Sequence, residues 1–86
     1  MSYEYYEMAV TDSNGSQSFS DDKTQVTIRN KGLDTLYFNF DGAATTSHYF
    51  LLQGESRSFK IDGITTVQAI CDTSDTATLI IEGWGE

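Results

Sequence analysis

His48 and Cys71 are the sole histidine and the sole cysteine of the chain, and so the one imidazole–thiol pair from which an activated nucleophile could be built. That chemistry also needs a group to orient the imidazole and donors for a developing oxyanion, and the sequence has no pattern for either. A small thiol inside an alternating apolar run is far more often packed in a core. Cys71 is therefore expected as a buried structural residue, and His48 as a strand-end or interface residue. One Cys and one His cannot fill the four N/S positions of a structural zinc site, and a lone cysteine forms no intramolecular disulfide. No catalytic residue, metal site or cofactor is expected.

The acidic residues invite a second chemistry. Asp12-Ser13-Asn14-Gly15 begins like an EF-hand loop, but that motif needs its glycine at the sixth position and a bidentate acid at the twelfth, and Gly15 is the fourth residue. A looser calcium site drawn from Asp12, Asp21, Asp22, Asp72 and Asp75 competes with the plainer reading of solvated turn acids, which is preferred. Asn14-Gly15-Ser16 fits the glycosylation pattern and is more economically a turn. Thirteen acidic residues against five basic ones give a net charge of −8, which repels a phosphate backbone, so nucleic acid is not an expected partner. The same charge steers the chain toward basic patches on another protein. No apolar run approaches the roughly 20 residues of a membrane span, and residues 1–10 lack the basic start and apolar run of a signal peptide, so no membrane is expected either.

Aromatic residues are the remaining candidates. Phe38, Phe40 and Phe59 fall on alternating positions and read as core. Tyr3, Tyr5, Tyr6 and Met8 near the amino terminus, and Trp84 between Gly83 and Gly85, are less easily buried, and tyrosine and tryptophan are enriched where one protein grips another. These five are the expected partner-binding residues.

The elements that must position them are strands. Period-two alternation with β-branched and aromatic residues dominates. Residues 24–30 place Val26 and Ile28 on one face and Thr27 and Arg29 on the other; residues 35–40 place Leu36, Phe38 and Phe40 on one face. Lys31-Gly32-Leu33-Asp34 between them predicts a hairpin with Gly32 available for positive φ. Residues 48–52, 57–61, 65–71 and 77–82 are further strands. Asp62-Gly63 predicts a type I′ turn folding Phe59 and Ile61 back against residues 64–67. Residues 3–10 read either as a first strand, with Tyr6, Met8 and Val10 facing the core, or as a docking arm, followed by a linker-like polar stretch over 11–22. The expectation is one all-β domain, a small antiparallel β-sandwich or barrel of jelly-roll or Ig-like type. Residues 1–23 form its N-terminal strand or arm with a linker, and residues 24–86 its core. Eighty-six residues bury only about 60–65% of the unfolded surface, and the chain has no proline to blunt its sheet edges, so a homo-oligomer is expected.

From Val26 onward the layout resembles small β-sandwich virion proteins of tailed bacteriophages. Ile28-Arg29-Asn30-Lys31-Gly32, then Leu36-Tyr37-Phe38-Asn39-Phe40-Asp41-Gly42, is similar to their N-x-G segment followed by an aromatic strand ending in D-G. Leu51-Leu52-Gln53-Gly54-Glu55-Ser56 resembles their L-x-P-G-E-S turn, with Gln53 in place of proline. Residues 64–71 and 77–83 complete the likeness as closing strands. The resemblance implies a non-catalytic virion component made in the host cytoplasm. The type it favours is a capsid decoration (cement) protein, whose partner is the major capsid protein or another virion protein. It lends no catalytic residues. The competing expectation is a tail or fibre accessory, or a carbohydrate-binding module using Tyr37, Tyr49 and Trp84 as stacking surfaces.

Overall fold

A computed structural model describes residues 2–45 and 49–85. Alternation of apolar and polar residues is realised as six antiparallel strands: β1 (Tyr3–Val10), β2 (Gly15–Asn30), β3 (Leu36–Phe40), β4 (Tyr49–Leu51), β5 (Ser56–Cys71) and β6 (Ala77–Trp84). They hydrogen-bond in the order β1-β6-β2-β5-β3-β4. The 16-residue strands β2 and β5 each belong to two layers. The first layer is β1, β6, residues 23–30 of β2 and residues 56–64 of β5; the second is residues 15–18 of β2, residues 66–71 of β5, β3 and β4. The layers face each other across a core of Val10, Val26, Ile28, Leu79 and Ile81 from the first and Leu36, Phe38, Leu51, Val67, Ala69 and Cys71 from the second. Phe59 and Phe40 meet edge-on across the gap at 5.0 Å between ring centroids. The architecture is the expected all-β sandwich, with residues 3–10 as a strand of the first layer.

Both expected hairpins are replaced by longer-range pairing. Asp62-Gly63 does not reverse the chain. Lys23 faces Ile64 and Gln25 faces Lys60, so β5 spends four residues where β2 spends two, and the surplus forms a bulge in one continuous strand. Gly63 supplies its φ of +82° to that bulge. Asp-Gly suits a tight turn and a bulge equally, and the alternation on either side is what one bent strand also shows. The consequence is a shift of face: Phe59, Ile64 and Val67 all turn inward although neither interval between them is even. Ile61, expected to pair back against residues 64–67 with Phe59, is 48% exposed.

Nor do β2 and β3 pair. Residues 31–34 carry the chain from the first layer to the second, and β3 lies between β4 and β5. Gly32 is needed there for close approach, since a Cβ on it would stand 2.4 Å from Ala77 Cα. Asn30 anchors the crossing from a fully buried position. Its Nδ2 donates to Asp34 O at 2.8 Å and Leu51 O at 3.0 Å, and its Oδ1 accepts from Gly32 N at 2.9 Å, so burial leaves none of its polar atoms unpaired. The polar stretch read as a linker is also strand: from Gly15 onward it is the first half of β2.

Asp41 holds the far end of β3. Its backbone is left-handed, with φ of 56°, and its Oδ1 accepts from Thr65 N at 2.9 Å, Thr65 Oγ1 at 2.7 Å and Thr66 N at 2.9 Å. The Thr65 hydroxyl, together with those amides, holds the carboxyl below the usual aspartate range. At the other end, Leu52-Gln53-Gly54-Glu55 is a turn closed by Glu55 N to Leu52 O at 3.0 Å, and Gly54 at its third position has φ of +77°. That is the type II pattern, whose second position favours proline. Replacing Gln53→Pro is expected to stabilise the domain by about 0.4–1 kcal/mol by restricting the unfolded chain. A urea midpoint that falls instead would show that the Gln53 N–H is needed in the fold.

Candidate binding face

The alternation that sends Val26, Ile28, Leu79 and Ile81 into the core sends their neighbours to the outer face of the first layer. Strand register sets these in rows: Tyr3, Trp84, Gln25 and Lys60; then Tyr5, Glu82, Thr27 and Ser58; then Glu7, Ile80, Arg29 and Ser56. Tyr3 and Tyr5 are 51% and 48% exposed. The Tyr3 and Trp84 rings lie 5.3 Å apart, and Tyr3 Oη donates to Glu82 Oε2 at 2.7 Å while Tyr5 Oη donates to Glu7 Oε2 at 3.1 Å. These bonds to carboxylates raise both phenol pKa values, so the hydroxyls stay protonated donors. Tyr5, Thr27, Arg29, Ser56, Ile80 and Glu82 surround a shallow depression of about 400 Å³. In the rows above, Arg29 and Lys60 offset Glu7 and Glu82, so this face is neutral within a chain of charge −8.

The five expected partner-binding residues are divided by that same alternation. Tyr3, Tyr5 and Trp84 are brought together on the outer face. Tyr6 and Met8 turn inward and pack against the core, with Tyr6 6.1 Å from Phe19 between ring centroids. The stacking trio is dispersed. Tyr37 lies on the second layer and donates to Asp72 Oδ2 at 3.2 Å, Tyr49 is on the edge strand β4 at 65% exposure, and Trp84 is on the first layer.

Cys71 is 2% exposed, and its Sγ approaches Val10 O at 3.9 Å. Burial pushes its thiol up to about 11, with the charges of Asp75, Asp34, Asp72 and Asp12 adding to the effect, so it is a poor nucleophile at neutral pH. His48 lies outside the described residues. Two loop acids bond backbone: Asp12 Oδ2 accepts from Ser74 N at 3.2 Å and Asp34 Oδ2 from Thr76 N at 3.0 Å. Among the described residues no three His, Cys, Asp or Glu side chains converge as metal ligands. Asn14 ties its loop to β5 and to residue 44, donating to Gln68 Oε1 at 2.8 Å and accepting from Ala44 N at 2.8 Å.

No family model matches the sequence, and no curated protein does. Among solved structures, the chain is similar to a cupin-2 domain containing protein from Shewanella frigidimarina, with a TM-score of 0.52 and 16% identity over 93% of this chain and 68% of that one. The likeness is one of fold.

One group that sequence reasoning missed sits beneath the face. Lys23 is fully buried at the bend of β2. Its Nζ stands 2.6 Å from Glu4 Oε2, bonds the Asp21 carboxylate, donates to Ser2 Oγ at 2.9 Å, and lies 5.7 Å from the centre of the Phe19 ring. Phe19, Asp21 and Lys23 alternate along the chain, a signal that the linker reading hid. The glycines beside Trp84 make room for this group: a Cβ on Gly83 would meet Phe19 Cε1 at 2.7 Å, and one on Gly85 would meet Ser2 Oγ at 2.6 Å. Burial works to lower the Lys23 pKa, but Asp21 and Glu4 outweigh it and the net shift is upward. The Lys23 ammonium, helped by Tyr6 Oη, lowers the Glu4 pKa from 4.5 to about 2. A carboxyl depressed in the folded state contributes stability above its unfolded pKa and loses it as pH falls through the folded value. The melting-temperature gap between the native chain and a Glu4→Gln variant is therefore expected to be largest at neutral pH and to shrink between about pH 4.5 and 2. A gap that stays constant across that window would show that the Glu4 charge is not what Lys23 requires.

Proposed function

We propose that this chain is a non-catalytic structural component of a bacteriophage virion, a capsid decoration protein that works by contact. The observation that carries the reading is the outer face of the first layer, where Tyr3, Tyr5 and Trp84 stand exposed or half-exposed on a rigid four-strand platform with balanced charge. Large rings with polar tips bring contact area at low entropic cost, which suits recognition by surface and not by turnover. The layout resemblance to phage sandwich proteins supplies the virion setting, and the major capsid protein is the proposed partner. The depression between Tyr5, Arg29 and Glu82 favours a second reading, a carbohydrate-binding module, because it sets a ring beside a guanidinium and a carboxylate.

Co-sedimentation with assembled shells and with unassembled capsid protein of the source phage tests the proposal. Binding to shells, weakened at least tenfold by Tyr5→Ser with Trp84→Ala in a variant that melts like the native chain, is the expected result. No binding to shells, or equal binding of the double variant, overturns it. Saturable binding of a neutral oligosaccharide by the isolated domain, in place of shell binding, establishes the second reading.

A further inference from the structure

The sheet has four stretches of free edge among its described residues, and three are protected. β4 has three residues. Residues 56–60 of β5 carry Arg57 and Lys60 and run into the bulge. Residues 15–18 of β2 are short and end where the register shifts. Short length, charge and bulges are the devices by which edges avoid pairing with another chain. β1 is neither short nor bulged, and Glu4 and Glu7 are its charges. It is an eight-residue strand without proline, its pairing with β6 runs without a register shift, and among the described residues no strand lies on its other side. Its two charges are already taken, since Glu4 turns in to Lys23 and Glu7 lies 3.5 Å from Lys31 Nζ.

We infer that β1 is a self-association edge, and that two copies pair antiparallel through it about a two-fold axis at Tyr6. Register follows from chemistry. A two-fold centred between two residues would place inward positions opposite outward ones and break the continuity of both layers. Centring on Glu7 sets Glu7 against Glu7 of the partner subunit, a like-charge pair. Centring on Tyr5 pairs only residues 2–8 among the described residues. Centring on Tyr6 pairs residues 2–10 throughout and sets Tyr5 against the partner subunit's Glu7, repeating across the interface the phenol–carboxylate bond that each chain makes internally at 3.1 Å. It also joins two neutral outer faces into one, so the charge of −8 on each chain does not concentrate at the junction. The inference rests on the expectation of a homo-oligomer and not on the virion reading, and its test uses no shells.

Sedimentation of the full chain from micromolar to submillimolar concentration is expected to show a dimer. Tyr5→Glu, which sets two carboxylates against each other on both sides of the two-fold axis, is expected to weaken it at least tenfold. Independently, a spin label on Ala9→Cys, with Cys71 buried and unlabelled, should sit about 20 Å from its copy, six residues at about 3.3 Å each. A monomer at every concentration overturns the inference. So does a dimer that is indifferent to Tyr5→Glu, or one whose labels stand at another separation.

Discussion

A straight strand of 16 residues, at about 3.3 Å per residue, would run about 50 Å. The longest dimension of the molecule is 38 Å, so β2 and β5 cannot be straight. Their bend is the constraint from which the rest follows. Each strand must leave one layer and enter the other, and a strand that changes layer must also change which of its faces points inward. The surplus residues between Lys60 and Ile64, and between Ser18 and Lys23, accomplish both by breaking the period of two. Gly63 makes the first break possible without strain. The second leaves room inside the sandwich at its end, which Phe19 and Lys23 fill.

An ammonium in that space is costly unless its charge is met, and removing one member of such a group is worse than never having built it. Glu4 reaches it from β1 and Asp21 from β2, so the ion group ties the outermost strand of the first layer to the bend. Tyr6, Ser20 and Ser2 occupy further positions of the same group, which fixes geometry as well as charge. Gly83 of β6 and Gly85 just beyond it complete the arrangement by having no side chains of their own. The same two glycines leave Trp84 as the only large residue of its tripeptide, directed outward. The inner electrostatics and the outer aromatic surface are thus two sides of one piece of strand.

Local patterning was legible where strands are regular. The inward sets Val26 with Ile28, Leu36 with Phe38, and Val67 with Ala69 and Cys71 could be read from alternation alone and are all buried. Pairing was not legible, because Asp62-Gly63 and Lys31-Gly32-Leu33-Asp34 carry turn chemistry that bulges and layer crossings use equally. Composition misled over residues 15–22, where Ser and Asp at alternate positions face solvent from a strand. On the outer face, Tyr3, Tyr5 and Trp84 could be suspected from their types, but their convergence depends on β6 lying between β1 and β2, which no local pattern encodes.

The motif residues behind the phage resemblance are, in three dimensions, largely parts of the frame. Asn30 joins the crossing to β4, Gly32 lets it pass Ala77, Asp41 ties β3 to β5, and Gly54 N donates to Asn30 O at 2.8 Å. Such residues are demanded by the layout whatever the domain binds, so a shared motif of this kind bears on architecture. Function has to reside where the frame makes no demand. The outer face of the first layer meets that condition: its side chains can change without disturbing the core, the bend or the crossings. Yet the positions hold rings and offsetting charges in place of the scattered acids found elsewhere on the chain. A sheet that only needed to remain soluble at a charge of −8 would have no physical reason to gather Tyr3, Tyr5, Trp84, Arg29 and Lys60 on one face.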